Sequence, residues 1–210
     1  MKLALISALA GSAAAFAPAA QTAARSTSLN AFSVDSIPGA LPPVGLFDPL
    51  GFAEKADEMT LKRYREAELT HGRVSMLAVV GFLVGEAVES KTVLFNGEIT
   101  GPAIGQLAQV NPLLWVALGA GIAKAESIRA EIGWVEPKDV PFDKPGQLRA
   151  NYVPGDIGFD PLGLKPESED EFIVMQNKEL QNGRLAMLAA AGFLAQELVD
   201  GKGIIEHFSS

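Results

Sequence analysis

The sequence predicts an all-α membrane protein with three transmembrane helices, the first and third crossed as a pseudo-two-fold pair, and a short C-terminal amphipathic helix. The main observation is an internal repeat at an offset of 111, since Glu68–Val88 and Glu179–Val199 share 12 of 21 residues. Such a repeat indicates two equivalent elements. Each copy is apolar nearly all round in its second half, which suits lipid. Each copy also places one glutamate and one arginine inside the apolar stretch.

The composition excludes several classes of function. The 210 residues include no cysteine, which excludes disulfides, thiolate zinc sites and thiol nucleophiles. Two histidines are too few for a histidine-rich metal centre, and no nucleophile–base pair suggests an enzyme. The net charge of −8 argues against nucleic acid as a partner. A mean hydropathy of +0.20 is high for a chain with 20% charged residues, and it favours a membrane protein.

The N-terminus has the pattern of a two-part targeting leader. Residues 1–15 combine a basic start, a short apolar run and a small-residue cleavage site, as in a signal peptide. Residues 16–31 are rich in Ser, Thr and Ala, contain Arg25 and no acid, and have the composition of a plastid transit peptide. The predicted functional domain is 32–210, with the mature chain starting near Ala31 or Phe32. An ordinary secreted protein is the alternative interpretation.

Three long helices and a tail helix are expected in the mature chain. The segment from Phe32 to Gly51 is rich in Pro and Gly and is predicted to be an extended arm. The helices are expected at Glu54–Glu89, Leu113–Ile132 and Glu169–Asp200, followed by a tail helix at Ile204–Phe208. Residues 96–112 and 133–166 are expected to be connections.

The apolar runs favour a membrane over an aqueous surrounding. No run alone reaches the roughly 20 residues of a conventional span, so each span must include its charged end. A soluble three-helix protein is the alternative, but three helices enclose little core. Basic residues gather at one end of the predicted spans and acidic residues at the other, as the positive-inside tendency requires. In a thylakoid these ends would face the stroma and the lumen respectively.

The spacing of the repeated charges predicts how they pair. Glu68 and Arg73 are five residues apart, roughly 140° around a helix, so they face each other poorly. A two-fold crossing offers reciprocal pairs, Glu68 with Arg184 and Arg73 with Glu179. Pairing is needed because one unpaired charge deep in a bilayer costs roughly 2.5–3.5 kcal/mol. Gly72 and Gly183 fall beside these pairs, where a side chain would block the crossing.

The same segments contain candidate ligands for a magnesium macrocycle such as chlorophyll. Glu68 and His71 are three residues apart and share a helix face, and Glu179 and Asn182 repeat that spacing. Each pair offers a carboxylate with an imidazole nitrogen or an amide oxygen as an axial ligand. We call the two reciprocal ion pairs the clasp. From spacing alone, two interpretations are equally open: the clasp only joins the helices, or it also prepares ligands. The small residues beside the crossing fit either close packing or grooves for long flat molecules.

Three further polar residues lie outside the repeated motif. Glu126 and Arg129 are three apart on the second helix and can pair locally, which makes Glu126 a third charge-compensated carboxylate. Gln196 lies in apolar surroundings near the end of the third helix. His207 lies on the tail helix, where an exposed histidine is usually an ordinary surface residue.

The pattern Glu-x-x-His/Asn-x-Arg-x-x-Met, present twice around a helix with Glu-x-x-Arg, resembles the light-harvesting chlorophyll-binding superfamily. The Phe-Asp-Pro-Leu-Gly segments that start at Phe47 and Phe159 belong to the same pattern. With the leader, the chain is most similar to fucoxanthin–chlorophyll a/c-binding proteins of diatoms and related algae. The resemblance implies a set of magnesium ligands: Glu68, His71, Glu126, Glu179, Asn182 and Gln196. His207 is a further candidate for cofactor binding, because it matches a tail-helix ligand of some members of the family. It gives Arg73, Arg129 and Arg184 the role of ion-pair support.

The resemblance also implies the pigments, the location and the role. Chlorophyll a, chlorophyll c, fucoxanthin and diadinoxanthin are the expected cofactors, with carotenoid ends near the two Asp-Pro-Leu-Gly loops. The expected partners are a photosystem I or photosystem II core, other antenna subunits and thylakoid lipids. The expected role is light harvesting and excitation transfer in the plastid thylakoid membrane. Two alternatives stay open, a photoprotective member that dissipates excitation and a small membrane transporter.

Overall fold

The computed structural model describes residues 38–42, 44–88, 99, 101–140 and 146–209, which belong to a compact unit, Phe32–Ser210. The predicted leader lies outside the described residues. The helices are α1 Glu58–Val88, α2 Ala103–Gln106, α3 Pro112–Gly133, α4 Glu169–Asp200 and α5 Ile204–Ser209, with a 3₁₀ turn at Pro137–Asp139. The described part of the chain is helical and contains two isolated β-bridges but no strand.

Helices α1 and α4 cross at two glycines. A Cβ atom built on Gly72 would lie 3.0 Å from the Cα of Gly183, and the reverse distance is 3.1 Å. Further along the pair, Phe82 and Phe193 meet edge to face with ring centroids 5.9 Å apart. These residues are equivalent at the offset of 111, so the crossing has the predicted two-fold character. The missing side chains let the two backbones touch.

The start of α1 differs from the sequence expectation by four residues. The carboxylate of Asp48 accepts the backbone N–H groups of Phe52 and Ala53 at 3.0 and 2.7 Å, which holds this segment in a turn. Asp57 then accepts the N–H of Thr60 at 3.1 Å, the contact of an N-cap residue. The helix therefore begins at Glu58 rather than Glu54. Glu89, the expected last residue, lies outside the described residues.

The two Phe-Asp-Pro-Leu-Gly segments form equivalent turns. Asp160 accepts the N–H groups of Leu164 and Lys165 at 3.0 and 2.8 Å, as Asp48 does four and five residues ahead. The bond from Ala53 contributes most to holding the pKa of Asp48 below its ordinary value, and the bond from Lys165 does so for Asp160. In both copies the Phe-Asp-Pro-Leu-Gly segment is thus a turn that its own aspartate closes. The two turns lie at the same end of the α1–α4 pair.

Helix α2 was not expected, because residues 96–112 were predicted to be a loop. Its first N–H groups, on Ala103 and Ile104, donate to the carboxylate of Glu197 at 3.2 and 2.9 Å. A buried carboxylate more than 90 residues away therefore caps this short helix, and local sequence gave no sign of it.

Helix α3 stands apart from the other helices. From Pro112 to Ile132 every residue except Arg129 is exposed in the protein alone. One end is fixed where Gly133 lies under the ring of Tyr152, since a Cβ there would be 3.0 Å from the ring. Trp134 bridges to Leu148 at the same end. In the described part of the chain, α1 and α4 pack extensively on each other, and neither packs on α3 to a comparable extent.

The described helices present much apolar surface. One segment, Glu58–Ala87, is long and apolar enough to cross a membrane by length and composition. Large apolar side chains on all three long helices are at least half exposed: Val74, Leu77, Val80, Val84, Leu113, Val116, Ile122, Leu185, Leu188, Leu198 and Val199. Exposure on this scale indicates a surface that lipid or other apolar molecules cover.

Candidate functional site

The repeated charges form two ion pairs between α1 and α4. Arg184 Nε donates to Glu68 Oε1 at 2.7 Å, and Arg73 Nε donates to Glu179 Oε1 at 2.7 Å. The partners are exchanged between the two copies, as the five-residue spacing predicted. Each carboxylate belongs to one helix and its guanidinium to the other, so these pairs join the helices at their crossing.

Each arginine of the clasp also fixes a loop. Arg184 NH1 donates to the carbonyl of Gly39 at 2.7 Å, and Arg73 NH2 donates to the carbonyl of Gly155 at 2.8 Å. Both glycines have a positive φ, 109° and 84°, a conformation that favours glycine. The sequence analysis missed these contacts, although the dipeptide Pro-Gly precedes each Phe-Asp-Pro-Leu-Gly segment and was a usable signal. The repeat therefore extends beyond the helices.

The two halves of the clasp differ in charge. Arg65 NH1 donates to the second oxygen of Glu68 at 2.7 Å, so two arginines bind this carboxylate. The equivalent position in the second copy is Gln176. Among the described residues no arginine reaches the second oxygen, Oε2, of Glu179. Glu179 therefore keeps more of its acceptor capacity than Glu68.

His71 and Asn182 hold equivalent positions and make equivalent hydrogen bonds. His71 Nδ1 lies 2.7 Å from the carbonyl of Ala67, and Asn182 Nδ2 donates to the carbonyl of Lys178 at 2.8 Å. Because a carbonyl only accepts, the proton of a neutral His71 is on Nδ1, and Nε2 carries the lone pair. Each side chain is exposed and is tied to its own helix by one atom. The second atom, Nε2 or Oδ1, is thereby oriented for a ligand.

The most deeply buried carboxylate of the site was not predicted. Glu66 is 2% exposed. Its Oε1 accepts Arg129 Nε at 2.8 Å, and its Oε2 accepts the hydroxyl of Tyr152 at 3.1 Å and the N–H of Gly155 at 2.7 Å. Burial, with the charge of Glu66, raises the pKa of Tyr152 to about 12. Glu66 shares a helix face with Leu69, three residues later, which is buried as well.

The local pair on α3 is present as expected, but it is part of a larger group. Arg129 NH1 donates to Glu126 Oε2 at 2.8 Å, while the Nε of the same guanidinium binds Glu66. Arg129 therefore binds two carboxylates, Glu66 on α1 and Glu126 on α3. The side chain of Glu126 is 57% exposed and that of Glu66 is 3% exposed, so Glu126 is the accessible one.

Gln196 and His207 meet at the far end of α4. The carboxylate of Asp200 accepts a hydrogen bond from Gln196 Nε2 and lies 2.8 Å from His207 Nδ1. With its amide nitrogen engaged, Gln196 has its carbonyl oxygen as the atom for coordination. The aspartate orients the imidazole ring, as a carboxylate beside a metal-ligating histidine does. Asp200 was predicted only as one of the acidic residues of this end.

Glu86 and Glu197, equivalent in the repeat, cap short helices at this same end. Glu86 accepts the N–H groups of Ile204 and Ile205 at 2.6 and 2.7 Å, at the start of α5. Glu197 does the same for α2 and is 2% exposed. Helices α1 and α4 thus each carry a glutamate that fixes one short helix.

Two cavities flank the crossing, one beside each Phe-Asp-Pro-Leu-Gly turn. The first, of about 410 Å³, is lined by Phe47, Tyr64 and Arg65 among others. The second, of about 680 Å³, is lined by Phe159 and Phe172 among others. Both cavities are lined by apolar and charged side chains together, which suits a long apolar molecule with polar ends.

Comparison with known proteins gives consistent matches. Residues 34–198 match the family model described as Chlorophyll A-B binding protein. Light-harvesting complex stress-related protein 3.2, chloroplastic, of Chlamydomonas reinhardtii is 46% identical over 193 residues, covering 90% of this chain and 73% of that protein. A fucoxanthin-chlorophyll a-c binding protein, chloroplastic, of Isochrysis galbana is 50% identical over 165 residues, covering 79% of this chain and 77% of that protein. Fucoxanthin-chlorophyll a-c binding protein F, chloroplastic, of Phaeodactylum tricornutum is 36% identical over 203 residues, covering 94% of this chain and 95% of that protein.

Proposed function

Because the chain belongs to the chlorophyll A-B binding protein family, whose members bind pigments and are not enzymes, we propose that it is an antenna protein of the plastid thylakoid membrane. In this proposal α1, α3 and α4 span the membrane. The bound pigments are chlorophyll a, chlorophyll c, fucoxanthin and diadinoxanthin. They absorb light, and excitation passes to a photosystem I or photosystem II core through neighbouring antenna subunits.

The exposure of α3 supports this proposal most strongly. A helix of 22 residues, with apolar side chains on all sides from Pro112 to Ala123, is fixed to the protein near its other end and packs on no other described helix to a comparable extent. Bare apolar surface of this extent is unfavourable in water by about 25 cal/mol per Å². Flat pigments between α3 and the α1–α4 pair, with lipid outside, would cover that surface.

The donor atoms also fit the central magnesium of chlorophyll. The proposed ligands offer a neutral imidazole nitrogen at His71, amide oxygens at Asn182 and Gln196, and arginine-compensated carboxylates. Magnesium accepts oxygen and imidazole ligands, and a guanidinium beside a carboxylate offsets its charge in an apolar site. The full proposed ligand set is Glu68, His71, Glu126, Glu179, Asn182, Gln196 and His207. The two cavities beside the turns would take the carotenoid ends.

Pigment analysis of the purified complex tests this function. The proposal expects chlorophylls a and c and a fucoxanthin-type carotenoid in fixed ratios to the protein. It also expects the excitation spectrum of chlorophyll a emission to contain chlorophyll c and carotenoid bands, because excitation must pass between bound pigments. A purified complex without pigment contradicts the proposal. So does one whose carotenoid bands are absent from the excitation spectrum.

A photoprotective role is the second candidate, and one observation favours it. Glu86 and Glu197 each hold a short helix at the predicted lumenal end through a charged carboxylate. Each cap depends on the charge of its carboxylate, since charge-assisted hydrogen bonds are the stronger kind. Relatives named stress-related are also 46% identical to this chain. A transporter is less consistent with the fully paired clasp.

Fluorescence lifetime against pH separates harvesting from dissipation. A quencher shortens its chlorophyll lifetime reversibly when the complex is brought from neutral to mildly acidic pH, whereas a harvester does not. If the caps are responsible, Glu86→Gln should abolish most of the response. Glu206→Gln is the control, because this glutamate is exposed on α5.

A further inference from the structure

Glu66 lies between the clasp and the isolated helix α3. Hydrogen bonds lead from Glu126 through Arg129 to Glu66, each at 2.8 Å. From Glu66 the contacts continue through the N–H of Gly155 at 2.7 Å, and the carbonyl of Gly155 accepts Arg73 at 2.8 Å. Among the described side chains, Glu66 is therefore the one that links the carboxylate on α3 to the crossing of α1 and α4.

We propose that Glu66 is a positioning residue for a pigment ligand: it holds the guanidinium of Arg129 so that only one nitrogen reaches Glu126, which leaves Glu126 Oε1 for coordination. This rests on the proposed function, in which Glu126 is a magnesium ligand. Glu66 itself does not coordinate, because it is 2% exposed and both of its oxygens accept hydrogen bonds.

The geometry of Arg129 supports this role. Free arginine–carboxylate pairs favour two parallel hydrogen bonds, which use both carboxylate oxygens. Here Glu66 takes Nε of Arg129, and NH1 alone reaches Glu126, at Oε2. Without the charge of Glu66, the guanidinium could turn and bind both oxygens of Glu126. The accessible carboxylate would then lose the oxygen that a magnesium needs.

Tyr152 and Gly155 keep Glu66 itself in place. The hydroxyl and the backbone N–H both donate to Oε2, on the side opposite Arg129. A buried carboxylate with three donors is held in one orientation, which is what a residue that aims another side chain requires.

The break in the two-fold symmetry fits the same explanation. The position equivalent to Glu66 in the second copy is Asn177, which carries no charge. A residue needed only for the crossing of α1 and α4 would be expected in both copies, as the clasp residues are. Helix α3 approaches from one side only, so a residue that serves α3 is needed once.

The test compares difference spectra of purified pigment complexes. Glu126→Leu should lose about one chlorophyll per protein and give a difference absorption band. Glu66→Gln, which keeps the size of the side chain but removes its charge, should lose the same band. The double variant should lose no more of that band than Glu126→Leu alone. Glu131→Gln, an exposed glutamate on α3, is the control and should keep every band.

The possible outcomes separate this inference from the proposed function. If Glu126→Leu keeps its full chlorophyll content, the ligand assignment is wrong and the positioning role falls with it. If Glu126→Leu loses its band and Glu66→Gln keeps it, Glu66 does not position the ligand and the function stands. If Glu66→Gln does not assemble, Tyr152→Phe decides, since it removes one bond to Glu66 and keeps the ion pair. A partial loss in the same band supports the role, and an unchanged band overturns it.

Discussion

Arg184 and Glu68 form a hydrogen-bonded ion pair of 2.7 Å across 116 positions of the chain, while Arg73, five positions from Glu68, pairs with Glu179. This exchange makes the two long helices interdependent. Glu68 and Arg73 cannot pair within α1, nor Glu179 and Arg184 within α4, because a five-residue spacing turns the two side chains away from each other. The same carboxylates are proposed pigment ligands, so the contact that joins the helices also prepares the site.

Removing the two clasp arginines should have unequal effects. Arg73→Leu leaves Glu179 without an arginine, whereas Arg184→Leu leaves Glu68 with Arg65 at 2.7 Å. We expect Arg73→Leu to destabilise the complex more than Arg184→Leu does, and both losses to stay below the roughly 3–5 kcal/mol of a fully buried pair, since the side chain of Glu179 is 32% exposed. Chemical unfolding of the two purified variants measures the difference. Lys178→Leu, an exposed charge on α4, is the control, and equal losses from both arginine variants would contradict the expectation.

His71 and Asn182, the proposed ligands without a carboxylate, should be individually removable and mutually exchangeable. His71→Leu and Asn182→Leu should each lose one chlorophyll and keep the fold, because the ion pairs remain. Their positions are equivalent and both side chains bond the carbonyl four residues earlier. His71→Asn and Asn182→His should therefore keep most of the pigment. Chlorophyll-to-protein ratios check this, and an unchanged ratio in His71→Leu would show that His71 is not a ligand.

Glycine at the crossing should tolerate no side chain. Gly72→Ala places a Cβ 3.0 Å from the backbone of Gly183, so the helices must separate, and overpacking of this kind typically costs about 1–3 kcal/mol. Gly81→Ala is a matched control in the same helix, because nothing lies within 4 Å of its Cβ. It should be neutral or stabilising by about 0.5–1 kcal/mol. Thermal unfolding compares the two variants, and equal midpoints would mean that the two backbones do not touch at the crossing.

The Tyr152 contact should give a specific alkaline instability. Its pKa is raised from 10.0 to about 12, so folding favours the neutral phenol. This stabilisation is fully present below pH 10 and is lost as the pH rises through about 12, because the unfolded chain ionises first. A pKa shift of this size corresponds to about 3 kcal/mol of unfolding free energy. The difference in unfolding free energy between the native protein and Tyr152→Phe should shrink between pH 9.5 and 12, and a constant difference would rule out the contact.

The clasp could be predicted from the sequence because its information is local and repeated. The spacing of Glu68 and Arg73 excludes a pair within one helix, and the second copy supplies the partners. The ends of α4 were also predicted, since Gly201 stops the helix in a left-handed conformation. Local pattern was sufficient in both cases.

The missed features depend on contacts between distant segments. Glu66 was hidden in a charged stretch, and its burial follows from Tyr152 and Gly155 in the connection after α3. Helix α2 depends on Glu197, which is far along the chain. The carbonyls of Gly39 and Gly155 carry no side-chain signal, so only the Pro-Gly dipeptide before each aspartate turn could have indicated them.

A double-mutant cycle on Glu179, Arg73 and Arg184 tests the central claim most directly. Glu179 binds a single arginine, so its coupling is not shared with a neighbour like Arg65. Unfolding free energies of the single and double glutamine variants should give a coupling of about 1–3 kcal/mol between Glu179 and Arg73, which lie on different helices. The coupling between Glu179 and Arg184, five residues apart on α4, should be close to zero. Strong coupling within α4 and none between the helices would contradict the exchanged clasp and the pigment site built on it.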